Sequence, residues 1–124
     1  MVATFHNHSV WSDGLASLAE IHAHAESIGV DILGVSDHYC VYPDGSVLAG
    51  SLTPSNAADY VAGVQSLQRK GRMEVVVGIE FDWFEQGRPA LAPVAESLPL
   101  DYRIGSVHHV QGAAFDIDAS GSVS

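Results

Sequence analysis

Apolar and polar positions alternate along the chain in short blocks of two different periods. Four blocks are apolar and β-prone, and they predict strands over residues 2–6, 31–36, 74–81 and 101–107. The block at 74–81, EVVVGIEF, is almost continuously apolar. Such a run is typical of a strand buried on both faces of a parallel sheet.

The segments between these blocks carry the signals of helices. Ser17 and Glu20 form a capping box, after which apolar residues recur at helical spacing in a first helix. The Thr-Pro pair at 53–54 is typical of the N-cap and first turn of a second helix, which ends near 70–71. A short third helix is predicted over 89–97.

Strands and helices therefore alternate, as the crossover connections between parallel strands require. The fold class predicted is α/β, with parallel β-α units in a single domain that spans residues 1–124. Roughly four such units fit in this length, whereas a closed eight-stranded barrel takes about 250 residues. We expect the units to form about half of a TIM-like, distorted β/α barrel.

The chain is strongly acidic. Fifteen acidic residues against five basic ones give a formal net charge of −10. Because such a surface repels phosphate backbones, an extended nucleic acid is not expected as a partner. Bound divalent cations would neutralise part of this charge.

Cysteine content and apolar run length bear on the compartment. The single cysteine, Cys40, cannot form an internal disulfide, so a secreted disulfide framework is not supported. His6, Asn7 and His8 interrupt the stretch where a signal peptide needs apolar residues. No run approaches the roughly 20 apolar residues of a membrane span. We expect a soluble cytoplasmic protein with no membrane partner, in which Cys40 is a small buried or loop residue.

Histidines and acidic residues collect where the predicted strands end. The carboxyl ends of parallel strands share one face of a sheet, so these side chains are expected to converge on one rim. They are His6 and His8 after the first strand, Asp13 in the following loop, Asp37 and His38 after the second strand, Glu80 in the third, and His108 and His109 after the fourth.

Mixed imidazole and carboxylate ligands suit Zn²⁺, Mn²⁺ or Fe²⁺ better than Ca²⁺ or Mg²⁺, which prefer oxygen donors. A carboxylate such as Glu80 can bridge two cations. The candidates outnumber the ligands of one tetrahedral ion, so we predict two or three divalent metal ions as cofactors.

Four motifs carry a resemblance to a known family. The segment HNHSVWSDG at 6–14 resembles the H-x-H-[ST]-x-x-S-D-G opening of the polymerase and histidinol phosphatase (PHP) superfamily. The triplets SDH at 36–38 and GIE at 78–80, and GSVH at 105–108, resemble its later motifs in the same order. From 78 to 116 the chain is most similar to the histidinol-phosphate phosphatase branch.

The resemblance implies which residues bind each metal. The ligands implied are His6, His8, Asp13, His38, Glu80 and His108. The two histidines of the first motif would hold the first metal, and Glu80 would bridge it to the second, which His108 also binds. Asp13 and His38 would hold the third. No catalytic residue is assigned beyond these ligands.

The remaining acids and histidines receive plainer interpretations. Asp37 is expected to orient a neighbour or cap a helix, and His109 to act in packing or in the outer shell of the site. His22 and His24 lie off the apolar stripe of the first helix and are interpreted as solvated. Two acids after the third strand, Asp82 and Glu85, are interpreted as members of a solvated loop.

The leading hypothesis is a metal-dependent phosphomonoester hydrolase, resembling histidinol-phosphate phosphatase, with a small phosphorylated substrate. Metals would polarise the phosphoryl oxygens and turn a bound water into hydroxide near pH 7. A covalent route through Ser9 or Ser12 is the weaker idea, because the nearby histidines are better explained as ligands. The alternatives are a non-catalytic metal-binding fragment and a PHP phosphoesterase acting on nucleotides or DNA ends.

The family continues with further β-α units that bring additional ligands, so the resemblance covers an N-terminal half only. It implies either a fragment, apparently truncated at its C-terminus, or a shortened relative. The first and fourth strands would then be bare edges with unpaired backbone groups. We therefore expect a homodimer or association with a missing C-terminal half.

Overall fold

The computed structural model describes residues 1–84, 86–107, 109–110 and 113–114. Strands and helices alternate as far as residue 106, as the sequence predicts, and two further short strands follow. In chain order they are β1 (Ala3–Thr4), α1 (Leu18–Ser27), β2 (Ile32–Tyr39), α2 (Ala57–Leu67), β3 (Glu74–Asp82), α3 (Arg88–Ser97), β4 (Tyr102–Ser106), β5 (His109–Val110) and β6 (Ala113–Ala114).

The first four strands form one sheet in the order β1-β2-β3-β4, and each neighbouring pair is parallel. Helices α1, α2 and α3 provide the crossovers between successive strands. Because all four strands are parallel, their carboxyl ends lie along one edge of the sheet. The short strands β5 and β6 pair with each other in antiparallel fashion.

Helix α1 begins as the capping box predicts. The Ser17 hydroxyl accepts a hydrogen bond from the Glu20 amide at 3.1 Å, and the Glu20 carboxylate accepts one from the Ser17 amide at 3.3 Å. These bonds satisfy two of the amide groups that a helix start leaves without partners. Leu18 and Ala25 of the apolar stripe are buried, whereas Ile28 at the end of the stripe is 64% exposed.

The predicted strand bounds needed correction at the carboxyl ends. β1 stops at Thr4 instead of reaching residue 6, and the residues after it bond to β2 through side chains as well as backbone groups. The Asn7 side-chain amide donates to the Gly34 carbonyl at 2.8 Å, and the Asn7 carbonyl accepts from the Ser36 amide at 2.9 Å. β2 extends to Tyr39, three residues further than predicted.

The predicted start of α2 was also wrong. Thr53 and Pro54 precede the helix, which begins at Ala57 after the N-cap residue Asn56. Thr53 and Asn56 close a turn of their own: the Asn56 side chain accepts from the Thr53 amide at 2.7 Å, and the Thr53 hydroxyl accepts from the Asn56 amide at 3.1 Å. The capping signal was real, but it stabilises this turn.

The apolar core joins β2 and β3 to α1 and α2. Tyr60 of α2 lies within it, and its hydroxyl is 3.0 Å from the Val35 carbonyl oxygen and 2.8 Å from that of Gly78. Burial raises the pKa of Tyr60 above its ordinary value, so the hydroxyl keeps its proton. The tyrosine thereby links β2 and β3 near the middle of each strand.

Cys40 is fully buried, in agreement with its interpretation as a small buried residue. Burial, assisted by the neighbouring Asp82 carboxylate, raises the pKa of its thiol to about 12. In the part of the chain that the structure describes, no helix combines the length and the apolar character that crossing a membrane requires.

Candidate metal centre

Five of the side chains predicted from sequence as metal ligands meet at the carboxyl edge of the sheet. They are brought there by the segment after β1, the loop before α1, and strands β2 and β3. The five are His6, His8, Asp13, His38 and Glu80.

The first group consists of His6, His8 and Glu80. The Glu80 carboxylate is almost fully buried, and its Oε1 atom contacts His6 Nε2 and lies 3.6 Å from His8 Nε2. The two imidazole rings are 5.0 Å apart between centroids. The His6 side chain is 60% exposed, so this group opens toward solvent on one side.

The second group consists of His8, Asp13 and His38. Asp13 Oδ1 lies 3.0 Å from His8 Nδ1, and Asp13 Oδ2 lies 3.2 Å from His38 Nε2. The other carboxylate oxygen of Glu80, Oε2, lies 2.7 Å from His38 Nδ1. Glu80 therefore connects the two groups through its two carboxylate oxygens.

Two imidazoles in this arrangement have a carboxylate oxygen at each of their nitrogens. His8 lies between Asp13 and Glu80, and so does His38. A neutral imidazole has one N–H and one lone pair, so it can donate to only one of two flanking carboxylates. The other ring nitrogen then presents its lone pair to a carboxylate oxygen, and this contact is repulsive. A second proton on the ring, or a metal cation between the two atoms, removes the repulsion.

Two observations indicate that the residues of these groups fit a divalent metal ion. Among the residues that the structure describes, none forms a hydrogen bond with the buried His8 Nε2 atom, which is costly unless a cation or a donor satisfies it. Within each group of three residues, one ligand atom from each residue lies within 4.8 Å of the others. Ligands at about 2.0–2.2 Å from a common zinc ion would have separations of this order.

Asp82 was wrongly interpreted as part of a solvated loop. It is the last residue of β3 and is only 3% exposed, and it forms a third group of metal-ligand geometry with His38 and Glu80. The local sequence hides this because the strand continues one residue beyond its apolar run. The period-two alternation from Glu80 is the signal that would have placed Asp82 on the same face.

Asp37 is fully buried beside the cluster, and its contacts are with hydroxyl and amide donors. Its carboxylate accepts from the Ser9 amide at 2.6 Å, the Ser9 hydroxyl at 2.7 Å and the Ser12 hydroxyl at 2.5 Å. These bonds attach the loop before α1 to β2. Asp13 follows Ser12 directly, so Asp37 fixes the part of the loop that carries a predicted ligand.

His22 was wrongly interpreted as solvated, whereas His24 is exposed as expected. The His22 ring is buried, and its Nε2 atom is 3.2 Å from the Lys70 carbonyl oxygen. Its partner lies 48 residues away, so the local helix pattern contains no sign of it. His22 lies in α1, outside the groups of possible metal ligands found among the described residues.

Three residues named from the sequence cannot be placed in the site. His108 and Glu85 lie outside the described residues. His109 belongs to β5, but its side chain is also outside the description. The role of His108 as a ligand and that of His109 in the outer shell therefore stay predictions.

A family model described as the PHP domain matches residues 4–121, which is nearly the whole chain. The chain belongs to the PHP family. No curated protein matches this PHP domain in sequence.

The PHP domain is also similar to a solved structure, histidinol phosphate phosphatase from Lactococcus lactis subsp. lactis Il1403, in complex with zinc, L-histidinol and phosphate. The TM-score is 0.72 at 20% sequence identity, and the match covers 92% of this chain and 43% of that chain. The chain thus spans less than half the length of that relative. The likeness, with the consecutive parallel strands, confirms the prediction of a partial TIM-like α/β barrel.

Proposed function

We propose that this PHP domain holds two or three divalent metal ions at the carboxyl edge of its sheet and hydrolyses small phosphomonoesters. The observation that carries the proposal is the position of Glu80, whose two oxygens face His6 and His8 on one side and His38 on the other. A carboxylate in that position can serve two neighbouring cations at once. The finding of the PHP family along residues 4–121 supports the same function.

The described residues supply ligands for at least two of these ions. His6, His8 and Glu80 would hold one, and Asp13 and His38 would hold another. His108 is proposed as a further ligand on the resemblance alone. When bound, such ions polarise a phosphoryl oxygen and lower the pKa of water toward neutrality, which is the chemistry that ester hydrolysis needs.

The chain's own groups position the centre and keep the nearby hydroxyls engaged. Ser9 is fully buried, and its hydroxyl donates to Asp37 while accepting from the Trp11 amide at 3.1 Å. The Ser12 hydroxyl donates to the same carboxylate. Each hydroxyl is engaged in a hydrogen bond that holds the Asp37 carboxylate, and the nearby histidines that could activate a serine are better explained as metal ligands. Hydrolysis by water, without a covalent intermediate, is therefore the route proposed.

Histidinol phosphate is the substrate we propose to test first. The support is the structural relative, whose complex contains zinc, L-histidinol and phosphate. The net charge of −10 disfavours an extended nucleic acid, so a small ester suits this surface better. A nucleotide phosphate remains chemically compatible with the same metal centre and belongs in the same assay.

The test is phosphate release from histidinol phosphate by protein loaded with Zn²⁺ or Mn²⁺, alongside elemental analysis of the purified chain. We expect two or three bound ions per chain and turnover that disappears in His8→Gln. The exposed His24 provides the matched control, because His24→Gln changes a histidine of α1 that is outside the cluster. Metal-loaded protein without His8-dependent turnover would refute the enzymatic proposal.

Metal binding without turnover is the second candidate function. It is favoured by one observation, that the chain spans 43% of the length of the phosphatase it resembles in structure. A single weakly held ion and no phosphate release would support this candidate. The oligomeric mass, measured by light scattering on the same sample, would show whether the edges of β1 and β4 associate as the sequence predicts.

A further inference from the structure

Tyr102 makes a contact that spans the whole four-stranded sheet. It is the first residue of β4, at one edge, and its hydroxyl donates to the Phe5 carbonyl at 2.5 Å, beside the opposite edge strand β1. The rings of Tyr102 and Phe5 also meet edge to face, with centroids 5.7 Å apart. Phe5 is the residue immediately before His6, so the contact ends next to a proposed metal ligand.

Two glycines leave the path of this side chain clear. A Cβ atom on Gly34 of β2 would lie 2.5 Å from the Tyr102 hydroxyl oxygen, and one on Gly78 of β3 would lie 2.5 Å from the ring. Real Cβ atoms do not approach other heavy atoms so closely. The tyrosine therefore crosses the two middle strands at positions where any larger residue would displace it.

The segment that Tyr102 reaches lacks support from the sheet ladder. β1 ends at Thr4, so His6 and His8 lie outside the regular strand pairing. The Phe5 carbonyl accepts from Tyr102 and from the Ser36 hydroxyl at 3.1 Å. Together with the bonds of Asn7 to β2, these contacts determine the path of the backbone on both sides of His6.

Burial raises the pKa of Tyr102 to about 12, although a hydrogen bond with the Ser36 side chain opposes this shift. The hydroxyl is therefore protonated at neutral pH and able to donate. Phenylalanine at this position would keep the ring and its packing but would lose the donor.

We propose that Tyr102 is a positioning residue of the metal centre, whose hydroxyl holds the Phe5 carbonyl and thereby sets His6 against Glu80. The proposal rests on the proposed function in one respect, that His6 and Glu80 bind a metal. The contact with Phe5 and its effect on His6 can be measured without any metal.

The first experiment compares metal-free wild type with Tyr102→Phe by NMR. We expect the Phe5 carbonyl ¹³C signal and the His6 imidazole signals to shift in the variant, while the His38 imidazole signals stay in place. Ser66→Ala is the control, because the exposed Ser66 hydroxyl of α2 bonds to the Gly63 carbonyl of its own helix, outside the metal-ligand groups of the described residues. Unchanged His6 signals in Tyr102→Phe would overturn the proposal, whether or not the protein binds metal.

The second experiment measures Zn²⁺ affinity of the same three proteins by competition with a chromophoric chelator. Loss of one positioning hydrogen bond should weaken binding at the His6 group by about three- to tenfold. Equal affinity of wild type and Tyr102→Phe, despite shifted His6 signals, would reduce the residue to a structural role and overturn the proposal. Absence of Zn²⁺ binding in wild type would instead refute the proposed function, and the NMR comparison would still decide the link between Tyr102 and His6.

Discussion

Histidines and acids occupy both ends of the sheet, but they have different partners at each end. Near the amino ends of the strands, four such residues each bond to a backbone group, and we call them the amino-end set. Its members are His22, Glu26, Asp31 and Asp101. At the carboxyl ends, the cluster of His6, His8, Asp13, His38 and Glu80 is built from side chains that face one another.

The amino-end set shows what an acid does when its role is structural. Asp31 accepts from the Val2 amide at 2.7 Å, and Asp101 accepts from the Val77 amide at 2.8 Å. An amide donor satisfies a carboxylate without any additional cation. At the carboxyl ends the carboxylates face imidazoles, whose nitrogens are good metal ligands. The difference in partners, and not in residue type, separates a site from a scaffold.

Among the substitutions that test this difference between the two ends of the sheet, Glu80→Gln is expected to have the largest effect on Zn²⁺ affinity. Glutamine keeps the size of the side chain but removes the charge that serves both ligand groups. Loss of a ligand should exceed the ten- to hundredfold loss typical of outer-shell partners, so we expect Zn²⁺ affinity to fall by at least about a hundredfold. The measurement is the shift in unfolding free energy with zinc at a hundred times the wild-type Kd, about 2.7 kcal/mol in the wild type and no more than about 0.4 kcal/mol in the variant.

Glu74→Gln is the matched control for that experiment. Glu74 is the exposed first residue of the same strand, at its amino end. The control should retain the full stabilisation by zinc. If both variants lose it equally, the response to zinc does not come from the carboxyl-end cluster, and the contrast between the two ends fails.

Asp37→Asn is expected to have an intermediate effect, because Asp37 combines a structural role with proximity to the cluster. Its carboxylate accepts three hydrogen bonds, and an asparagine oxygen with an adjacent NH₂ group cannot accept all of them. We expect a loss of about 1–3 kcal/mol in unfolding free energy, measured by chemical denaturation without metal. Zn²⁺ affinity should also fall by about tenfold, because the loop that carries Asp13 loses its attachment.

An Asp37→Asn variant with lowered stability but unchanged metal affinity would show that the loop keeps its shape without these bonds. Asp37 would then belong with the amino-end set. The exposed Asp59 in the first turn of α2 provides the matched control: Asp59→Asn should leave Zn²⁺ affinity unchanged and lower the unfolding free energy by at most about 1 kcal/mol, the usual contribution of a first-turn acid.

The parts of the fold that could be predicted from sequence are those determined by local interactions. The capping box of Ser17 and Glu20 was found because both partners lie within four residues. β3 was found because its continuous apolar run reflects burial on both faces. The convergence of His6, His8, His38 and Glu80 followed from the parallel order, since this order alone places the strand ends together.

The errors concern residues whose environment is created by distant parts of the chain. His22 is buried by a contact with Lys70, and Asp82 by the extension of β3 next to His38. β1 stops at Thr4, and the segment after it is attached to β2 through the Asn7 side chain as well as the Asn7 backbone carbonyl. A sequence pattern indicates the helix or strand to which a residue belongs. The burial of His22 and Asp82 and the length of β1 depend instead on contacts with other helices and strands.

Glu26→Gln is expected to have the smallest effect, and it tests the amino-end set directly. Hydrogen bonds from the Arg72 and Met73 amides, first of all that from Arg72, lower the pKa of Glu26 in the folded protein. Its contribution to stability is therefore complete above its unfolded pKa and is lost as the pH falls through the folded value. We expect a small decrease in Tm for Glu26→Gln at neutral pH, a difference that shrinks in acid, and unchanged Zn²⁺ affinity, with Glu74→Gln again as the control. A change in Zn²⁺ affinity in this variant would mean that the two ends of the sheet are coupled, and the distinction drawn from their partners would no longer hold.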